Sequence, residues 1–295
     1  MKENMIHRKP LTAVAFLAPA LVVYLLIIAY PLIQGLYLSA TDSKVGNASN
    51  FIGIANYAAL ASDSDVMRAL GVTVAYAIVV VVVQNALGLA LARALYVRPR
   101  IRQLGNTVIL IPTLMSAVMA AFVWNSLLAP SGAINTLLKS IGLDSLAHVW
   151  LGDPSTALWA IALVNVWMFA GYSAAIFLAG YMNLPSELLD ASNVDGASGW
   201  RRFASVEWPL LAPALTVSVT LSLIGSLKIF ELPLVMTNGG PAGSTTTLTM
   251  LIFSKIFGGQ GSFAYGATIA VLLLVVVVLF AGITQSLLRR REERI

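Results

Sequence analysis

The chain contains no cysteine, which excludes a disulfide framework and a thiolate metal site. Its two histidines, His7 and His148, lie too far apart in sequence to read as a metal pair. Charge is scarce as well. Charged residues make up 11% of the chain, against roughly 25% in an ordinary soluble domain. No lysine follows a glycine, so the G-x-x-x-x-G-K-[ST] phosphate loop is missing and ATP is not expected to bind here. A membrane enzyme would need clustered His, Asp or Glu near one membrane face, and the apolar stretches hold almost none.

What is abundant is hydrophobic residues, 58% of the 295. A bilayer core needs about 20 apolar residues per helix. Six stretches meet that length: 11–38, 69–96, 104–128, 155–181, 209–236 and 263–288. They predict an all-α polytopic membrane protein. Pro19, Pro31, Pro112, Pro213 and Pro233 fall inside them, tolerable where neighbouring helices satisfy the freed carbonyls. Lys2, Arg8 and Lys9 precede an apolar stretch longer than the 7–15 residues or so of a signal-peptide core, so it is read as a retained first span.

Orientation follows from Lys and Arg. With the amino terminus inside, the inner segments hold Lys2, Arg8, Lys9, Arg93, Arg98, Arg100, Arg102, Arg201, Arg202, Arg289, Arg290, Arg291 and Arg294. The outer ones hold Lys44, Arg68, Lys139 and Lys255, and Lys228 is left inside the fifth span. Both termini are therefore expected in the cytoplasm: a tail of residues 1–10, a transmembrane domain over 11–288 and a basic tail over 289–295. The net charge of +5 sits in short clusters beside apolar runs, which reads as topology and excludes a nucleic-acid face. Outside, Phe51, Ile52 and Tyr57 form a small apolar cluster. Ile134, Leu137, Leu138 and Ile141 predict a short amphipathic helix.

The longest inner loop covers 182–208. Pro185, Ser186, Glu187 and Asp190 are helix-start signals, and Asp195-Gly196 is a stop because Gly suits the left-handed position after a helix. Ser198 is placed to cap a second helix whose Trp200, Phe203 and Val206 share an apolar face. Such a face either packs on the chain's own spans or covers a partner.

Here the residues resemble a known family. Pro185, Glu187, Leu188, Asp190, Ala191, Asp195, Gly196, Ala197, Phe203, Pro209 and Pro213 resemble the "EAA" loop of bacterial ABC importer permeases. Asp190 and Ser192 depart from that motif's glutamate and second alanine. Pro19, Tyr30 and Pro31 are similar to the start of maltose-transporter-type permeases, as is Phe51 to Tyr57. So too are Lys228 to Glu231 with Met236-Thr237-Asn238-Gly239-Gly240-Pro241 and Ser244-Thr245. The resemblance implies a docking loop for an ATPase, with Trp200 and Phe203 buried in it. It implies a second permease, two ATPase subunits carrying ATP and magnesium, an external binding protein, and a sugar moved by alternating access across a bacterial inner membrane. No cofactor, metal or catalytic residue is expected in this chain.

Lys228 and Glu231 are expected three residues apart on one helix face. Three readings stand: a pair lining the path of the solute, a structural ion pair, or side chains reaching toward the outer surface, since the span ends near Met236. Pro233 is expected to break that helix, and Asn238 to Pro241 to form an external turn. Ser226, Asn165, Tyr172 and Asn125 are further pathway candidates, although amides in spans commonly bind helix to helix. Trp124, Trp159 and Trp167 could stack on a sugar. The rival readings are a permease for another solute, such as phosphate or peptide, and an ion-coupled secondary transporter.

Overall fold

A computed structural model describes residues 10–43, 50–258 and 262–292. Lys2, Arg8, Lys9, Lys44 and Arg294 of the topology count lie outside the described residues. Among the described residues the chain is helical, with a single isolated β-bridge between Thr41 and Phe51. Four helices are long and apolar enough to cross a membrane, and up to six spans result if two bent pairs each count as one. The chain divides into two compact units, Met1–Ser62 with Ile252–Val271, and Asp63–Leu251 with Leu272–Ile295.

The first unit begins with α1 (Pro10–Tyr24), a π-helical turn at Leu25–Ala29 and α2 (Tyr30–Ser39). The wide turn lies just before Pro31. Its ring would clash with the carbonyl of Ile27 and it has no N–H to give, so the backbone opens one residue wider. None of the apolar window in Phe16–Ser39 is buried inside the chain; lipid or a partner must cover it. Next, α3 (Ala55–Ser62) is fastened by Asn56, whose amide donates to the carbonyls of Ser39 and Thr41. Phe51 is 69% exposed, so the expected Phe51–Ile52–Tyr57 cluster does not close; only Tyr57, bonded to Ser39 at 2.6 Å, is partly covered.

In the second unit, α4 (Ser64–Tyr96) starts at Asp63, whose carboxylate caps the N–H groups of Asp65 and Val66. α5 (Pro99–Leu110) and a 3₁₀ turn at Ile111–Leu114 lead to α6 (Ala117–Leu127), bent from them by 92°. Pro112 accounts for the tight turn, and Met115 and Ser116 are extended. α7 (Ala133–Ser140) is the expected short helix; it is held by buried Asn135, which accepts from Trp150 and donates to the His148 carbonyl.

The central element is α8 (Ala157–Met182), two-thirds buried. It packs closely on α4 because small residues meet: a Cβ on Gly88 would come within 2.6 Å of the Ser173 Cβ. α9 (Ser186–Val194) and α10 (Gly199–Arg202) follow, then a π turn at Phe203–Glu207 before α11 (Trp208–Leu210). Pro209 forces that turn as Pro31 forces the other. α12 (Ala212–Leu227), α13 (Glu231–Thr237), α14 (Leu248–Phe257) and α15 (Phe263–Glu292) complete the chain.

The expected fifth span, 209–236, is therefore not one helix. It bends by 71° between Leu210 and Ala212 and breaks again at Lys228–Phe230, not at Pro233, which sits in the first turn of α13, where a missing N–H costs nothing.

Candidate functional site

A cavity of about 410 Å³ lies between α4, α8, α12 and the two broken segments. Each break contributes to its wall. Thr113, in the kink before α6, is held by donating its hydroxyl to the Met168 carbonyl at 2.6 Å. At the other break, Lys228 ends α12 and Glu231 opens α13. Both side chains are exposed and line the cavity. Among the described residues neither forms an ion pair. They stand on opposite sides of a break and do not share a helix face as expected.

A helix break frees carbonyls, and a buried unpaired carbonyl costs about 1–3 kcal/mol. The chain answers with Thr247, whose buried hydroxyl donates to the Ile229 carbonyl at 3.1 Å. Beyond it, Thr73 accepts from the Leu248 N–H at 2.9 Å. Thr247→Val should therefore lower thermal stability by about 1–3 kcal/mol and loosen the segment carrying Lys228; a midpoint unchanged in detergent would contradict this.

Of the other candidates, Ser226, Asn165 and Tyr172 also line the cavity, with Gln84, Ser218 and Ser222 that sequence reasoning did not place there. Gln84 and Asn85 act as helix-binding amides too: Gln84 donates to Ser173 at 2.9 Å and Asn85 to Ser222 at 2.8 Å. Asn125 is elsewhere, donating to the Val235 carbonyl. Trp124 packs edge-on against Trp167 at 5.5 Å, and neither they nor Trp159 line the cavity.

Asn238 is left-handed, Gly239 has φ +83°, and Gly240-Pro241 is a cis bond. The turn is laced by threonines: Thr245 donates to the Gly240 carbonyl and Thr246 to that of Gly239.

In the 182–208 loop, α9 ends in a Schellman turn. The Ala197 N–H returns to the Ser192 carbonyl and Gly196, φ +73°, to Asn193. Ser198 occupies the N-cap position of α10 but makes no capping bond. Glu187, Asp190, Ala191, Asp195 and Gly196 are exposed, Ala197 and Pro209 half-buried. Trp200 is 73% and Val194 88% exposed. Phe203 lies beside Trp200 as expected, ring centroids 5.0 Å apart, and is half-buried beneath the Arg93 guanidinium, 4.6 Å from its ring. Sequence reasoning missed Glu207, which is buried and paired with both Arg93 and Arg202. The signal available was an acidic residue inside an otherwise apolar run before Pro209. Arg291, read as a topology anchor only, donates to the Trp208 carbonyl and lies over its ring.

Residues 84–294 match the family described as binding-protein-dependent transport system inner membrane component. The chain belongs to this family. The permease is 30% identical to the probable starch degradation products transport system permease protein AmyD of Thermoanaerobacterium thermosulfurigenes, over 94% of both chains. It is 30% identical to the trehalose/maltose transport system permease protein MalF of Thermococcus litoralis, over 97% of each. Its fold is similar to a chain of a bacterial alginate ABC transporter in complex with alginate pentasaccharide-bound periplasmic protein. That likeness has TM-score 0.82, 21% identity and 95% of both chains covered.

Proposed function

We propose that this permease forms half of the translocation path of an ATP-driven importer for a sugar or oligosaccharide. The observation that carries the reading is the cavity at the two helix breaks. Its hydroxyls, amides, one cation, one anion and Tyr172 are the donors, acceptors and stacking face that a polyhydroxylated ring requires. Discontinuous helices beside a cavity are where transporters hold substrate. The names of the relatives, which include a trehalose/maltose and a starch-product permease, point the same way.

In this reading the other half of the path is a second permease. A binding protein delivers sugar from outside, near the Asn238 to Pro241 turn, and two ATPase subunits carrying ATP and magnesium dock on the 182–208 loop. Exposed Trp200 and Val194, with Glu187, Asp190 and Asp195 around them, supply the apolar centre and polar rim of such an interface. Both termini lie on the ATPase side of a bacterial plasma membrane. Closure of the ATPases moves α9 to α11, and the spans alternate access to the cavity.

Affinity purification of the chain from its native membrane tests this reading: an ATPase should co-purify, and recovery of none overturns it. Gly196→Pro should abolish that recovery while the chain still inserts. Proline cannot reach φ +73° and removes the N–H that closes the Schellman turn. Undiminished ATPase recovery with this variant would remove the loop from the interface.

A further inference from the structure

Between residues 183 and 208 only Ser192 and Glu207 are buried. Ser192 bonds only within its own helix and turn. Of the loop's apolar side chains, Leu184 is half-buried against the α4–α8 cluster and none is fully buried. Glu207 is seated by charge. Arg93, near the end of α4, donates Nε to one carboxylate oxygen at 3.1 Å, and Tyr181 of α8 donates its hydroxyl to the same oxygen at 3.3 Å. Arg202 of α10 donates Nε to the other oxygen at 2.9 Å.

Each arginine has a second hold. Arg93 donates to the Gly199 carbonyl at 2.7 Å and covers the Phe203 ring. Arg202 donates to Asn193 Oδ1 at 3.3 Å, on the last turn of α9. One buried carboxylate thus ties together both loop helices, α4 and α8. The end of α15 closes on the same loop segment and on the start of α12, through Arg291 on Trp208 and Glu292 on Thr216.

A buried charge is costly and less stabilising than a well-packed apolar group of the same size, but its geometry is specific. α4 then runs as an unbroken helix from Arg93 back to Gln84 in the cavity wall, about 14 Å at 1.5 Å per residue. Next to Gln84, Asn85 bonds Ser222 of α12.

We infer that Glu207 is a positioning residue that transmits loop movement to the cavity: a shift of α9 or α10 is passed through Arg202, Glu207 and Arg93 into α4, and so to Gln84 and α12. This rests on the importer reading above.

The test uses the complete transporter, reconstituted, with a single reporter cysteine. The chain has none of its own, so Gly225→Cys in the cavity wall can be followed with a water-soluble maleimide. ATP with vanadate should change its labelling rate by roughly tenfold. With Glu207→Gln added, that nucleotide dependence should fall below about twofold while the ATPase stays bound, and Glu207→Asp should restore it in part. Arg93→Lys, which keeps a charge but loses the fork that reaches both Gly199 and Glu207, should give an intermediate loss and serves if Glu207→Gln does not insert. An unchanged nucleotide dependence in these variants overturns the inference. So does loss of the ATPase from Glu207→Gln, which would make Glu207 a fold residue. A complex without Glu207 substitutions that shows no nucleotide dependence at all overturns the importer reading itself.

Discussion

Glu231→Gln is expected to lower sugar uptake by about 10–100-fold while leaving the assembled transporter intact. Glu231 is exposed toward the cavity, opens α13 and forms no ion pair among the described residues. Its carboxylate is therefore available to accept from sugar hydroxyls. Hydrogen bonds to a charged group are worth about 1.5–3 kcal/mol, and every 1.4 kcal/mol or so is a factor of ten in affinity. Glutamine keeps the shape and loses the charge, so the effect belongs to recognition and not to packing. Lys228→Gln should weaken uptake too, and the two losses should be close to additive, because the side chains are not paired with each other. Uptake assays in membrane vesicles decide it. Unchanged transport by Glu231→Gln, with normal assembly, would remove this residue from the path. A double variant no worse than either single one would restore the ion-pair reading.

Gly171→Ala should destabilise the protein by about 1–3 kcal/mol or more, against the usual sign. In an ordinary helix interior, alanine is better than glycine by about 1 kcal/mol. Here a Cβ at Gly171 would fall 1.8 Å from the Ile109 carbonyl oxygen and 2.6 Å from its carbon. Those are backbone atoms of α5, which cannot rotate aside. Either α5 shifts away from α8 or the contact strains. The same substitution at Gly71 meets nothing within 4 Å and should be neutral or slightly stabilising. Thermal unfolding in detergent, read as two midpoints against the parent, checks both. Equal and favourable effects at the two positions would mean that α5 does not sit against α8 as described.

The spans were legible because lipid imposes a simple requirement. Every backbone group must be satisfied within its own segment, so a long apolar run becomes a helix. α4, α8 and α15 match their expected runs to within about a turn and a half. The stop at Gly196 was legible for a similar reason, since the left-handed position after a helix is local chemistry. The short helix over Ala133–Ser140 likewise followed from its own apolar period.

The site was legible only as a set of residues. Periodicity assumes a continuous helix, and so Lys228 and Glu231 were assigned one face. What interrupts the helix is a partner distant in sequence: Thr247 satisfies the Ile229 carbonyl and makes the break affordable in the core. The same limit hid the second use of Gln84, which faces the cavity only because α4 packs on α8 and α12. It also hid the cover over Phe203, which comes from the Arg93 guanidinium more than a hundred positions earlier.

By itself, then, the sequence determined that the chain is a bundle of membrane-spanning helices with no metal-thiolate or nucleotide-binding motif. It also determined that the loop after α8 forms two short helices meeting at Gly196. These are consequences of composition and of interactions within a few residues. Only the tertiary structure decided where the spans break, which polar side chains share a cavity, and that Glu207 is enclosed by Arg93, Arg202 and Tyr181. The reason is desolvation: in a buried site each polar group must find its partner wherever the fold brings one, and sequence separation carries no record of that distance.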